Sequence, residues 1–358
     1  MAICEIVSAE AVTPNGFDLD MSLSLSKAKV SPFTQGHHQK THQKYTYAHA
    51  EFIKDDGLEN ESYDSDDPES DSKRLHTLLV DLEHVLKSQL LTQLQSVANE
   101  TNRHPINQFQ LPLLIGVPER VDIPHLRSLL QQTLSPTLYS QLIIEPFGGV
   151  QLLSLALTLQ AQYSALMVIS VDSLLCFQEA LVDRQLVLSK SSSWGMIPSE
   201  GAAGVVLMSS TYRHALGLPP CPMIDVALFS EPGSRGSMDL LKLARQIKKQ
   251  RREVKKDMTF GYLVSDKTGL YQDEESYGFF MGAMAQHCDR RIPPMMLEKY
   301  WGTIGQASCC SVLAVIWYEL NQMSTERLPG ETSTYTGLLF NADGRKGIIS
   351  LSYQLMPS

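Results

Sequence analysis

Two segments of this sequence would be apolar on nearly every side if wound as helices: EPFGGVQLLSLALTL (Glu145–Leu159) and TIGQASCCSVLAVIW (Thr303–Trp317). A helix without a polar face has to be enclosed by protein. Each is entered through a Gly-bearing turn, and one falls in each half of the chain. The pair points to a duplicated architecture built around two central helices.

The flanking pattern says what encloses them. QLPLLIG (Gln110–Gly116), ALMVISV (Ala165–Val171) and GYLVSD (Gly261–Asp266) are short unbroken apolar runs, as expected of strands buried on both faces. Leu75, Leu78, Leu79, Leu82, Leu86, Leu90 and Leu94 recur at three- and four-residue steps from Ser72 onward, which predicts a long amphipathic helix. Further helices are expected near His125–Leu134, over Ser237–Lys256 and through Tyr277–Ala285, with a strand near Leu142–Ile144. GLLFNADG and GIISLSYQ read as a closing antiparallel hairpin with Asp343-Gly344 near its turn. Alternation of this kind predicts an α/β protein with helices on both faces of a sheet.

Charge narrows the function classes. The formal net charge is -9, and nine carboxylates without a base lie between Asp55 and Ser72, so the remainder is close to neutral. That argues against a nucleic-acid binder, whose domain should carry a broad basic face. The apolar stretches, such as Gly204–Met208 and Ser311–Tyr318, fall far short of the roughly 20 residues of a membrane span. Met1–Glu10 lacks the basic and apolar regions of a secretory leader. The six cysteines, Cys4, Cys176, Cys221, Cys288, Cys309 and Cys310, contain no Cys-x-x-Cys pair, which fits reduced thiols in the cytoplasm.

Residues 34–72 are expected to be a poorly ordered surface excursion. His37, His38, His42 and His49 are metal-ligand types, but they lack neighbouring Cys or carboxylates at ligand spacing, so a solvated loop is the expectation. The acidic tract after it either docks a basic partner or maintains solubility. Farther on, Lys242, Arg245, Lys248, Lys249, Arg251, Arg252, Lys255 and Lys256 make eight bases in fifteen positions. Leu240, Leu241, Leu243, Ala244 and Ile247 keep helical spacing among them, so one face is anchored and the other is cationic. That outer face either meets an acidic partner or is simply solvated. Adjacent Cys309 and Cys310 read either as a redox pair or nucleophile, or as small core residues. No Walker loop, Gly-x-Gly-x-x-Gly, His-Glu-x-x-His or Gly-x-Ser-x-Gly is present, and no cofactor or metal is expected.

Four motifs in order carry a family likeness. ICEIVSAEAVTPNG (Ile3–Gly16), VISVDSLL with GMIPSEGAAGVVLM (Val168–Met208), FGYLVSDKTGLYQDEES (Phe260–Ser276) and IGQASCCSVLAV (Ile304–Val315) resemble the β-ketoacyl synthase branch of the thiolase fold. The resemblance implies a five-layer α-β-α-β-α architecture of two pseudo-symmetric halves, 1–210 with the loop 34–72, and 211–358. It also implies a homodimer or heterodimer, paired through a strand near the nucleophile turn. In that family a Cys at the head of the first central helix is the nucleophile and two His residues assist it. Aligning Gly149 with the family's glycine places Pro146 at the Cys position, Asp266 at the first His and Gln306 at the second. Pro146 suits a first helical position, and Glu145 ahead of it suits the helix dipole. None of these side chains supplies the family's chemistry, so no catalytic residue is assigned.

Three functional readings follow. The first is a catalytically inactive binding or assembly component. Val171-Asp172-Ser173 and Ser265-Asp266-Lys267-Thr268-Gly269 resemble thiolase-like proteins encoded beside type VI secretion effectors, which suggests an adaptor or chaperone. The second is a chain-length-factor-like subunit acting with a ketosynthase and an acyl carrier protein. The third is an acyl-thioester enzyme with relocated chemistry, using Cys309, or Glu145 with Asp266.

Overall fold

In the computed structural model the described residues are 4–50, 68–101, 109–134, 138–190, 192–253, 260–289, 293–324, 334–341 and 343–353. The first part of the chain runs β1 (Cys4–Val12), α1 (Leu19–Lys27), a hairpin of β2 (Phe33–His37) and β3 (Lys44–Ala48), and α2 (Pro68–Thr101). It continues through β4 (Leu111–Gly116), α3 (Ile123–Thr133), β5 (Tyr139–Glu145), α4 (Gly149–Leu159) and β6 (Ala165–Ser173) to α5 (Gln178–Asp183), β7 (Glu200–Ser209) and α6 (Ser210–Ala215). Then come β8 (Met223–Phe229), α7 (Asp239–Glu253), β9 (Tyr262–Ser265), α8 (Tyr271–Met284), β10 (Met295–Met296), α9 (Glu298–Trp301), α10 (Ser308–Ser324), β11 (Thr334–Phe340) and β12 (Lys346–Ser352).

Ten strands are ordered β10-β9-β11-β12-β8-β1-β7-β6-β4-β5. The two ends of that order are copies of one another. Numbering the five strands of each set in chain sequence, both run 3-2-4-5-1, and the fifth is antiparallel to both its neighbours. In each set the second strand is parallel to the third and fourth. Between the sets the pairing narrows to Glu5 opposite Met223. The duplication expected from the two apolar helices is therefore present in the topology.

Helix α10 packs on β1 and β7 to one side and on β9 and β11 to the other, with α4 against it. The two helices share one core with both strand sets, including Ala156, Cys309, Cys310, Val312, Val315 and Trp301. Outside the first set lie α2 and α3; outside the second lie α7 and α8. The result is five layers, α-β-α-β-α. All seven leucines of the predicted α2 stripe have no exposed surface, and each fully buried leucine contributes roughly 1.5–3 kcal/mol.

Three expectations need correction. Residues 34–50 are not a solvated loop: β2 and β3 pair in register from Phe33–Ala48 to His37–Lys44. Tertiary contacts that no local periodicity signals hold this hairpin. His38 is buried, with its Nε2 3.0 Å from Glu179 and 3.2 Å from Asp183. Thr41 N–H donates to His38 Nδ1 at 3.1 Å, so Nε2 carries the proton that faces the two carboxylates. Tyr45 packs with Val182 and Val187, and Ala48 N–H donates to the Pro198 carbonyl at 3.0 Å. Second, α2 begins at Pro68, inside the acidic tract, and α8 begins at Tyr271, six residues before the expected start. Third, Pro146 is not the first residue of the central helix, as described below. Residues 51–67, Lys255 and Lys256 lie outside the described residues. Among the described residues, no helix is long and apolar enough to cross a membrane.

Candidate functional site at the heads of the central helices

The two central helices begin beside one another, and each is seated by a strand of the opposite set. At the head of α10, Gly305 has a φ of 52° and Gln306 N–H donates to Asp172 Oδ2 at 2.8 Å. Asp172 stands near the end of β6, the fourth strand of the first set. At the head of α4, Gly149 has a φ of 57° and lies against Asn341 Oδ1. Asn341 follows directly on β11, the fourth strand of the second set. In both places a Cβ on the glycine would overlap the facing side-chain oxygen. Left-handed backbone and close approach together restrict each position to glycine.

The contacts around Gln306 close the space between the two heads. Gly148 N–H donates to Gln306 Oε1 at 3.2 Å, and Ser170 Oγ donates to the Gln306 carbonyl at 2.9 Å. Arg120 Nη2 holds Asp172 Oδ1 at 3.0 Å and the Ser173 carbonyl at 2.7 Å. Its guanidinium lies 4.7 Å from the Phe177 ring centre, a cation–π distance. On the other side, Arg345 Nη2 donates to Gln151 Oε1 at 3.1 Å, tying the loop after β11 to the first turn of α4.

Pro146 is exposed on the loop between β5 and α4, while Gly148 is the N-cap and Gly149 the first helical residue. The expected stabilisation by proline at the first helical position is thus replaced by a Gly-Gly head, because only glycine fits against Asn341. Glu145 is the last residue of β5, half-buried, with its carbonyl accepting from Val117 N–H at 3.1 Å. It belongs to the strand end, not to the first helical turn.

Asp266 is buried at the end of β9. Its Oδ1 accepts from Phe340 N–H at 2.8 Å and its Oδ2 from the Cys309 thiol at 3.4 Å. Burial pushes Asp266 up to about 7; the Phe340 and Cys309 bonds oppose this and Asp273 adds to it. Burial, then the Asp266 charge, pushes the Cys309 thiol well above the ordinary thiol range. Cys310 is raised by burial to about 12. The structure thus brings Cys309 and Asp266 together, but it keeps the thiol protonated, and thiol reactivity requires thiolate.

Sequence reasoning missed a fully buried ion pair. Arg74 donates to Glu200 through Nε at 3.0 Å and Nη2 at 2.6 Å, with both residues fully enclosed. Ala50 N–H donates to Glu200 Oε1 at 2.9 Å, and His49 Nε2 lies 3.4 Å from the same oxygen. Burial, the largest single effect, would raise Glu200; the Arg74 bonds and charge, with His49 and the Ala50 N–H bond, together outweigh it and hold the carboxyl below its usual value. A signal was present: Arg74 shares the four-residue spacing of Leu78, Leu82, Leu86, Leu90 and Leu94, so a charge sits in the apolar stripe. Among the described residues no group of His, Cys and carboxylates is arranged to hold a metal ion.

Burial also sets a pH dependence. Glu10 and Glu298, like Asp266, are pushed up to about 7, chiefly by burial. In the unfolded chain such groups titrate near 4. Between about pH 4.5 and 7 the folded state therefore binds more protons, and stability falls as pH rises through this window. His76, lowered by burial, acts in the opposite sense. Asp266→Asn should make the fall of the urea midpoint with rising pH less steep, since one of the carboxyls raised by burial is removed. An unchanged slope between pH 5 and 7 would show that Asp266 does not titrate there.

No protein-family model matches the sequence, and no curated protein matches it. Solved structures do match over almost the whole chain. A ketosynthase from module 6 of the bacillaene synthase of Bacillus subtilis 168 aligns with a TM-score of 0.67 at 12% identity, covering 99% of this chain and 73% of that one. A β-ketoacyl synthase from Burkholderia phymatum STM815 aligns at 0.66 and 14% identity, covering 99% and 100%. The ishigamide ketosynthase/chain length factor aligns at 0.65 and 13% identity, covering 98% and 99%. The fold is that of the ketosynthases. At these identities the likeness establishes architecture and leaves activity to the site itself.

Proposed function

We propose that this chain is a ketosynthase-fold protein that acts by binding another protein and carries no condensing activity. The single observation behind this reading is the head of α4, where Gly148 and Gly149 are covered by Gln306 and Asn341. A condensing enzyme needs an exposed thiolate there, activated by the helix dipole. Cys309, the thiol bonded to Asp266, is buried and protonated. All six cysteines are free thiols, which supports a reducing compartment such as the cytoplasm.

Intact-mass measurement after incubation with acyl- and malonyl-coenzyme A at millimolar concentration tests the inactive reading. No acyl adduct should form. An adduct that disappears in Cys309→Ala would reverse it and restore an acyl-thioester enzyme with relocated chemistry.

The finer role we propose is an adaptor or chaperone for a type VI secretion effector, supported by the sequence likeness at Val171–Ser173 and Ser265–Gly269. Recovery of no secretion component from the native host would count against it. A chain-length-factor-like subunit is the second reading, favoured by the similarity to the ishigamide ketosynthase/chain length factor. Another similar structure is a type II polyketide synthase acyl-carrier protein in complex with its ketosynthase, with a TM-score of 0.68 at 10% identity. Among the described residues strand β5 has β4 as its one sheet neighbour, so its outer edge supports pairing of protomers, either as a homodimer or with a synthase. Co-expression with a Cys-containing synthase distinguishes the two: a stable heterodimer supports the second reading, and an indifferent homodimer removes it.

A further inference from the structure

Helices α7 and α8 lie side by side on the outer layer of the second strand set. Leu240, Leu241, Leu243, Ala244 and Ile247 anchor α7 to the core. Its opposite side presents Lys242, Arg245 and Lys249 at three- and four-residue steps, with Lys248 and Arg251 at the margins. Lys242 pairs with Asp239 at 2.9 Å and Lys248 lies 3.3 Å from His287 Nε2. Among the described residues, no carboxylate pairs with Arg245, Lys249 or Arg251. Only the backbone of Arg252 is described.

The neighbouring face of α8 is shaped differently. Phe279 and Tyr271 are 41% and 59% exposed, and Trp194 meets Tyr271 edge-on at 5.8 Å. Gly278 and Gly282, one turn apart, are exposed, and a Cβ on either would meet no atom. Alanine would fit there and would favour the helix; bare backbone allows closer approach from outside. A cationic stripe therefore runs beside a low-profile one that carries Tyr271 and Phe279, with half-exposed Glu275 between them.

We infer that the α7–α8 face docks an acidic amphipathic helix of a partner protein, carboxylates toward Lys242, Arg245 and Lys249 and apolar side chains toward Phe279. The inference rests on the binding role proposed above and names the chemistry of its partner. Charge complementarity selects this occupant. A second copy of the same face would set cation against cation, and a nucleic acid needs a wider basic field than one helix stripe. Carboxylates spaced like the bases would form several pairs at once, steering encounter more than adding affinity.

The test uses the full-length protein and a fluorescein-labelled helical peptide with Glu at i, i+4 and i+7 on one side and Leu on the other. A scrambled peptide of equal composition is the control. The patterned peptide should bind, with anisotropy and Trp194 fluorescence changing together, and weaken with added salt. Combined Lys242→Glu, Arg245→Glu and Lys249→Glu should weaken binding at least tenfold while the thermal midpoint is kept. Gly278→Leu should also weaken it, by filling the approach. Equal binding of the scrambled peptide, or no loss in the triple variant, overturns the inference. So does displacement of the peptide by a uridine oligonucleotide at equal concentration, which would mark a general polyanion site. Tighter peptide binding after neutralising the carboxylates of residues 55–71 would mean that the chain's own tract fills the face, and overturns it too. A partner captured equally by wild type and triple variant would sink this surface while leaving the binding role intact; an acyl adduct would sink the role itself.

Discussion

Gly149→Ala and Gly305→Ala should each destabilise the protein by about 3–5 kcal/mol. Both glycines sit at left-handed φ, which costs an L side chain roughly 1–2 kcal/mol by itself. In addition, the new methyl group would collide with Asn341 at one head and Asp172 at the other. Asp172 is not free to withdraw, being held by Arg120 and by Gln306 N–H. The Asn341 backbone is fixed by its N–H bond to the Arg345 carbonyl at 2.9 Å, and its side chain is enclosed, so little room is left for it to move. Urea denaturation measures the loss. Two comparisons separate the causes. Asn341→Ala in the Gly149→Ala background should recover the collision and leave the backbone strain. Gly278→Ala, on the open face of α8, should stabilise by up to about 1 kcal/mol. A Gly149→Ala protein as stable as wild type would mean that the heads of the central helices are not packed as described.

Arg74→Met should cost about 3–5 kcal/mol, because it leaves the Glu200 carboxylate buried without a counter-charge. The double variant Arg74→Met, Glu200→Gln should recover much of that, since the desolvation cost disappears with the charge. The pH dependence gives an independent check. In the wild type the Glu200 carboxyl is held below its unfolded value, so it contributes stability above about pH 4.5 that is lost as pH falls through the folded value. In Arg74→Met burial is opposed only by the weaker effects of His49 and the Ala50 N–H bond, and raises the carboxyl. The sign then reverses, and the variant should regain stability relative to wild type as pH is lowered toward 5. Equal losses at pH 5 and pH 8 would show that the pair is not an ionic contact. Glu200 also receives Ala50 N–H and lies near His49, so the residues leading out of the β2–β3 hairpin should loosen with it. Faster proteolysis between residues 33 and 50 in Arg74→Met would report that coupling.

What was legible in the residues was the part of the structure governed by local pattern. An apolar stripe on α2, unbroken apolar strands, and two helices with no polar face fixed the α/β class and the duplication, because burial follows periodicity. The same reasoning put Asp172 and Asp266 at the ends of buried strands, where the structure has them, whereas Gln306 was singled out by the family resemblance. It failed where the deciding contact comes from distant sequence. The β2–β3 hairpin is held by Glu179, Asp183 and Pro198, more than a hundred residues away. The start of α4 is set by Asn341, on the opposite strand set, which forces glycine where proline at the helix start was expected. Cys309 and Asp266, far apart in sequence, become a hydrogen-bonded pair whose protonation is set by burial.

By itself, then, the amino-acid order determined which elements form and that two of them must lie at the centre, since side-chain periodicity is a local property. Only tertiary structure decided how the two helix heads are closed, which charges are enclosed together, and which cations stay at the surface. Those outcomes depend on desolvation and on contacts between residues brought together by folding.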